Sequence, residues 1–313
     1  MSTVSGRQTP MVGGREALST GNSVGNTAGN TVGNTVPAVR AWLRLLGSEA
    51  GLTFRRPRNA AMLGLLVVIP VLVGVALRVF GSPEESGPGR GTAILQQVTG
   101  NGLFLTFAAL SILVQLLLPV VVAVVAGDSV AGEAGLGTLR YLLAVPAGRT
   151  RLLAVKYVNA VVFCLAAVTA VALSGLLTGL VLFPAGPITL LSGVTVPFAE
   201  GVLRIGVVVL YVTAGMAALA AVALALSTFT EVSIGAIAST VVVVIVAQVL
   251  GAIPQLAAIQ PYLLTTWWSH FDGVLRAPVA VDEMADGLLV FGAYVVVFGS
   301  VAWARFTGKD ITS

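Results

Sequence analysis

The sequence predicts an all-α membrane protein: six transmembrane helices, an N-terminal amphipathic interfacial helix and a short cytoplasmic helix between spans two and three. Composition is the first observation behind this: 57% of the 313 residues are hydrophobic and 10% charged, against about 25% charged in soluble domains. Mean hydropathy is +0.98. The second observation is that apolar residues gather into runs long enough to cross a hydrocarbon core, which takes about 20 residues. The third is where the basic residues fall. A net charge of +4 and an isoelectric point near 9.6 are compatible with nucleic acid, but these residues sit beside the apolar runs, where they read as topology signals. Nucleic acid is therefore not an expected partner.

Taken in order, residues 1–37 come first. They repeat a Gly-Asn-Thr/Ser unit from Gly21 to Pro37, too polar and glycine-rich to bury a core, and are expected to be a disordered low-complexity tail without the apolar segment of a signal peptide. An amphipathic helix is expected over 39–54. Val39, Trp42, Leu43, Leu46 and Ala50 recur at helical spacing, with Arg40 and Arg44 on the other face, so Arg40, Trp42 and Arg44 mark an interfacial helix. The basic cluster Arg55, Arg56, Arg58 precedes the first span.

Spans are expected at about 60–80, 102–127, 157–183, 205–227, 232–253 and 287–304, within a transmembrane domain of 38–310. With both termini inside, thirteen of the seventeen Lys and Arg residues fall on the cytoplasmic side, leaving Arg78, Arg90, Arg204 and Arg276 outside. Reading 157–199 as a hairpin of two spans gives the same split. Pro184, Pro187 and Pro197 break the second half of that run, and irregular backbone facing lipid is not tolerated, so six spans are preferred. The expected location is the cell membrane, multi-pass, with both termini cytoplasmic. Only two of the seventeen basic residues, Lys156 and Lys309, are lysine, a skew in keeping with a GC-rich bacterial gene.

Between spans two and three lies a polar insert, 128–156. Asp128 and Glu133 are expected just past the second span, Gly135 and Gly137 loosen the backbone, and Thr138 is an N-cap for a short helix over 139–145 that Pro146 ends. Arg140 and Tyr141 face away from Leu139, Leu142 and Leu143. So short a helix has little stability of its own. The order Asp128, Glu133, Gly137, Thr138, Leu142, Leu143, Pro146, Arg149, ending at Lys156, resembles the segment between the second and third spans of ABC-2 type exporter permeases, particularly the permease component of copper-enzyme maturation systems.

That resemblance implies a permease subunit forming the translocation pathway, paired with a second permease copy or paralogue in membrane lipid and driven by separate ABC ATPase subunits that bind ATP and Mg. The insert would then be the coupling helix, with Asp128, Glu133, Gly137, Thr138, Arg140, Tyr141, Pro146 and Arg149 as the ATPase-facing residues. The chain carries no Gly-x4-Gly-Lys-Ser/Thr phosphate loop, so ATP hydrolysis is expected in a partner and no catalytic or cofactor-binding residue in this chain. An ion-coupled secondary transporter is the alternative among transporters, and a non-transporting scaffold the alternative outside them.

Polar residues inside the spans are few and uncharged: Gln115, Asn159, Ser174, Ser239, Thr240 and Gln248. They offer no proton relay and fit an amphiphilic cargo. Gly175-x3-Gly179 and Gly235-x3-Ser239 are patterns that permit close helix approach, of a kind that glycine-rich spans also produce by chance. Thr228-Phe-Thr-Glu231 has the form of a capping box opening the fifth span. In the outer segment 254–286, Tyr262, Trp267, Trp268 and Phe271 predict a helix at the interface. His270 stands alone among them, with the single cysteine, Cys164, in a span, so no metal site is expected.

Overall fold

The computed structural model describes residues 38–80, 101–135, 148–184, 186–190 and 192–308. The expected tail and the centre of the insert, with Gly137, Thr138, Arg140, Tyr141 and Pro146, lie outside them. Helices dominate the rest: α1 (Ala38–Arg55), α2 (Pro57–Phe80), α3 (Leu103–Gln115), α4 (Leu117–Gly135), α5 (Arg149–Leu182), α6 (Phe198–Phe229), α7 (Ser233–Ala252) and α8 (Val281–Thr307). Six of these, α2 and α4 to α8, are long and apolar enough to cross a membrane. The hairpin reading of 157–199 fails because α5 is one helix of 34 residues, followed by a two-stranded ribbon of β1 (Ile188–Thr189) and β2 (Thr195–Val196) in which Ile188 pairs with Val196.

The expected second span differs in two ways. It breaks at Leu116 (φ −131°, ψ −59°), separating α3 from α4. The cause is Pro119, which has no N–H to give the carbonyl of Gln115 and whose ring crowds that carbonyl. The side-chain amide of Gln248 on α7 donates to the freed Gln115 carbonyl instead. The helix also does not stop at Gly127. It runs on to Gly135, and α5 starts at Arg149 rather than at Tyr157, so Asp128, Glu133, Arg149 and Lys156 are helical residues.

α6 is the hub. Its most apolar stretch is 78% buried, against 17% for α2, α7 and α8. The run of alanines between Met216 and Ala225, all buried, has little side-chain bulk, so neighbouring helices approach closely. Among lipid tails, that packing replaces the hydrophobic effect as the source of helix association. Leu72 on α2, Val242 on α7 and Leu289 on α8 point outward, as lipid-facing residues do.

Opposite the insert the bundle is closed by backbone. Gly102 and Gly179 lie so close that a Cβ on either meets the other's carbonyl oxygen, and a Cβ on Gly175 would lie 3.0 Å from the Thr106 Cα. The Gly175-x3-Gly179 pattern is thus a real seam between α5 and α3. Gly235-x3-Ser239 is not: a Cβ on Gly235 meets only the local Thr230 side chain. Asn101 locks the same end, donating to the carbonyls of Gly186 (3.1 Å) and Pro187 (3.0 Å) and accepting from the Leu103 N–H (3.0 Å).

Two local expectations are corrected. The outer segment 254–286 forms three short 3-10 helices, the last over Thr266–Leu275. Its Trp268 and Phe271, each 1% exposed, pack into the bundle instead of resting at an interface, while Tyr262 stays outside. Gly215 on α6 makes room for the Trp268 ring, to which a Cβ would come within 3.0 Å. The capping box is not formed. Thr228 belongs to α6 and donates to the Ala225 carbonyl (2.7 Å), and α7 opens at Ser233 with no side-chain cap.

Candidate functional site

The end of the bundle carrying the insert is built from charge. Asp128, on α4, accepts from Arg56 (2.9 Å) and Arg58 (2.8 Å), at the junction where α1 passes into α2. Glu133, just over one turn further along α4, accepts from Lys156 of α5 at 2.5 Å. Lys156 is 3% exposed. A lysine so far out of water is tolerated only when paired, and Glu133, with Glu49 of α1 at 4.0 Å, meets that condition. The last turns of α4 and the first of α5, which flank the insert, are therefore tied to each other and to α1.

Polar contacts continue behind the ion pairs. Asn159 on α5 donates to the Thr53 hydroxyl (2.7 Å) and Asn59 on α2 to the Thr53 carbonyl (2.8 Å). Phe54 packs on Phe163 with ring centroids 5.5 Å apart. These contacts hold the second half of α1 on the bundle. Toward its start, Trp42 is half-buried and Leu43 and Arg44 are exposed, and Arg40 lies on the first turn of the same helix.

α6 grips α4 at the same end through Ser227, which is fully buried. Its hydroxyl donates to the Gly127 carbonyl (2.6 Å) and accepts from the N–H groups of Ala131 (2.9 Å) and Val130 (3.2 Å). One hydroxyl from α6 thus bonds to both the carbonyl and the amides of a single turn of α4. Gly135 does not loosen the backbone. It lets α4 close on the α6–α7 turn, where a Cβ would lie 2.8 Å from the Glu231 carbonyl. Arg149 points away from the ion-pair cluster and donates to the Thr307 carbonyl (2.8 Å) at the end of α8. The amphipathic helix, the insert and the end of α8 consequently share one end, as an even number of crossings demands.

Of the residues picked out from the sequence, Asp128, Glu133 and Lys156 come together, and Arg149 lies apart. Glu49, Arg56, Arg58, Thr53 and Asn59 join the site without having been assigned to it. A signal existed for Glu49, the only acidic residue between Ala38 and Asn59. Three of the polar residues of the spans bond to main-chain carbonyls. Ser174 donates to the Val67 carbonyl of α2 (2.6 Å), Thr240 to the Ala236 carbonyl (2.8 Å) and Ser239 to the same carbonyl (3.0 Å).

A family model described as protein of unknown function, DUF2705, matches residues 91–312, well over half of the chain. The chain belongs to that family. No curated protein matches it. The DUF2705 match takes in α3 to α8, and so Asp128, Glu133 and Lys156, but not α1 and α2. The charged end is thus a junction between the family's matched region and a preceding amphipathic helix and span.

Proposed function

We propose that this DUF2705 chain is the permease subunit of an ATP-driven exporter of the ABC-2 type, with the 128–151 region as the element that a separate ATPase subunit moves. The observation that carries the reading is the buried Lys156–Glu133 pair, backed by Arg56 and Arg58 on Asp128. Through them a force on the segment between α4 and α5 reaches both spans and the α1–α2 junction together. Ion pairs have discrete alternative partners, so such a junction suits a two-state switch between inward-open and outward-open forms. The order of residues from Asp128 to Lys156 supports the family likeness, and the chain has no phosphate loop of its own.

A permease of this type works as a dimer, of two copies or of two related chains, with two ATPases beneath it in the cell membrane. An apolar groove of about 200 Å³ between α5, α6 and α8, lined by Leu153, Tyr157, Leu224 and Val295 and edged by Trp303, supports an amphiphilic cargo. Trp303 closes it by donating to the Thr150 hydroxyl (3.0 Å).

The test is co-expression with the ATPase encoded beside this gene. The permease alone hydrolyses no ATP; the pair copurifies and does. Arg140→Glu reverses a charge in the insert and weakens copurification. Glu133→Arg weakens it as well, by placing a second cation against Lys156. Equal copurification of wild type and both variants, or of none of them, contradicts the assignment.

A further inference from the structure

Beneath the ion pairs, a small cavity of about 50 Å³ opens at the α1–α2 junction, walled by Glu49, Arg56, Arg58, Asn59, Lys156 and Asn159 among others. Two of its walls are buried acceptors left over. Asn59 and Asn159 are 2% and 7% exposed, each commits its amide N–H to Thr53, and the Oδ1 atom of each accepts no hydrogen bond from the described residues. A buried amide oxygen without a donor costs about 1–3 kcal/mol, so two in one cavity point to a ligand that brings donors.

The charges identify it further. Lys156 faces two carboxylates, Glu133 at 2.5 Å and Glu49 at 4.0 Å, so the inner wall holds two negative charges against one positive, and the more distant Glu49 carboxylate is the third acceptor. At the mouth, Arg56 and Arg58 give one contact each to Asp128 and remain about half exposed, and a guanidinium has five N–H donors. Deep acceptors with a guanidinium rim complement a zwitterion, its ammonium inward and its phosphate outward. Three acceptors equal the three N–H donors of a primary ammonium. A trimethylammonium has none to give.

We infer that this cavity binds the headgroup of an aminophospholipid, the primary ammonium on Asn59, Asn159 and Glu49 and the phosphodiester on Arg56 and Arg58. Position selects a lipid over a soluble amine. Leu52, 61% exposed, lines the cavity, and the apolar run of α2 begins directly after Asn59, so the mouth lies at headgroup depth. The bound lipid adds to the Thr53 contacts of Asn59 and Asn159 that already join α1 to α2 and α5. This holds whether or not the chain is a transporter.

The test uses the full-length protein in nanodiscs containing phosphatidylethanolamine, its N-methyl, N,N-dimethyl and choline analogues, or phosphatidylglycerol, all with the same acyl chains. Lipid retained on release is counted by native mass spectrometry. The expected result is one phosphatidylethanolamine per chain, preferred over phosphatidylcholine and phosphatidylglycerol by about tenfold, with the preference falling at each methylation. Glu49→Gln and Asn159→Leu each reduce that preference severalfold. Should Asn159→Leu not fold, Glu49→Gln and the methylation series decide. Equal retention of phosphatidylcholine or phosphatidylglycerol, or an undiminished preference in Glu49→Gln, overturns the site. Displacement of the lipid by water-soluble glycerophosphoethanolamine at comparable concentration overturns the choice of a lipid.

Discussion

The two ends of this bundle are closed by different chemistry. At the Gly102–Gly179 end, backbone meets backbone, and polar side chains such as Asn101 and Arg204 bond to main-chain carbonyls. A carbonyl has one position, so that end has one arrangement. At the Asp128–Lys156 end, side chains meet side chains: Arg56 and Arg58 share one carboxylate, and Lys156 stands between Glu133 and Glu49. Such partners exchange at modest cost. On the proposed function, the glycine seam is the fixed end and the end carrying the insert the adjustable one.

The largest effect is expected where a charge is out of water. Lys156→Met removes the buried cation between Glu133 and Glu49 and lowers stability by about 3 kcal/mol, measured by thermal unfolding in detergent. Adding Glu133→Leu recovers most of that loss, because the charge goes with its partner. The glycine seam responds next. Gly179→Ala forces α5 away from α3 and costs about 2–3 kcal/mol, and no second substitution at Gly102 restores it, since the clash is with backbone. If Gly179→Ala is neutral in the same assay, the seam is not the fixed end.

Ser227→Ala removes the hydroxyl bridging Gly127 to Val130 and Ala131. The loss is about 1 kcal/mol, that of a buried hydrogen bond. Hydrogen exchange of those two amides then quickens relative to the rest of α4, and unchanged exchange contradicts the contact. Asp128→Asn is the mildest. Both arginines are half exposed, and such pairs contribute under about 1 kcal/mol, so unfolding barely shifts.

Six crossings were legible because each run is apolar over the length a bilayer demands, and the Pro184–Pro187 interruption counted correctly against a seventh. Their polar ends were not. Asp128 and Glu133 look like a loop in sequence, yet a helix runs through them because Arg56, Arg58 and Lys156, remote in sequence, neutralise them. The break at Leu116 follows from Pro119, but only Gln248 on a distant helix shows where the freed carbonyl goes. Trp268 and Phe271 obeyed the aromatic-belt rule in composition and broke it in place, because Gly215 offered a slot inside the bundle. Glu49 and Asn59 escaped notice for the same reason as the ion pairs: their partners lie on other helices.

Coupling to an ATPase requires the charged end to face the compartment where ATP is. Single cysteines at Gly148 and Gly186 test this, since a Cβ at either position meets no atom of the described residues within 4 Å and the native Cys164 is buried at 1% exposure. With a membrane-impermeant maleimide, Gly148→Cys is expected to react only in inside-out vesicles and Gly186→Cys only in right-side-out ones. The reverse pattern would place the charged end outside the cell and contradict the proposed coupling.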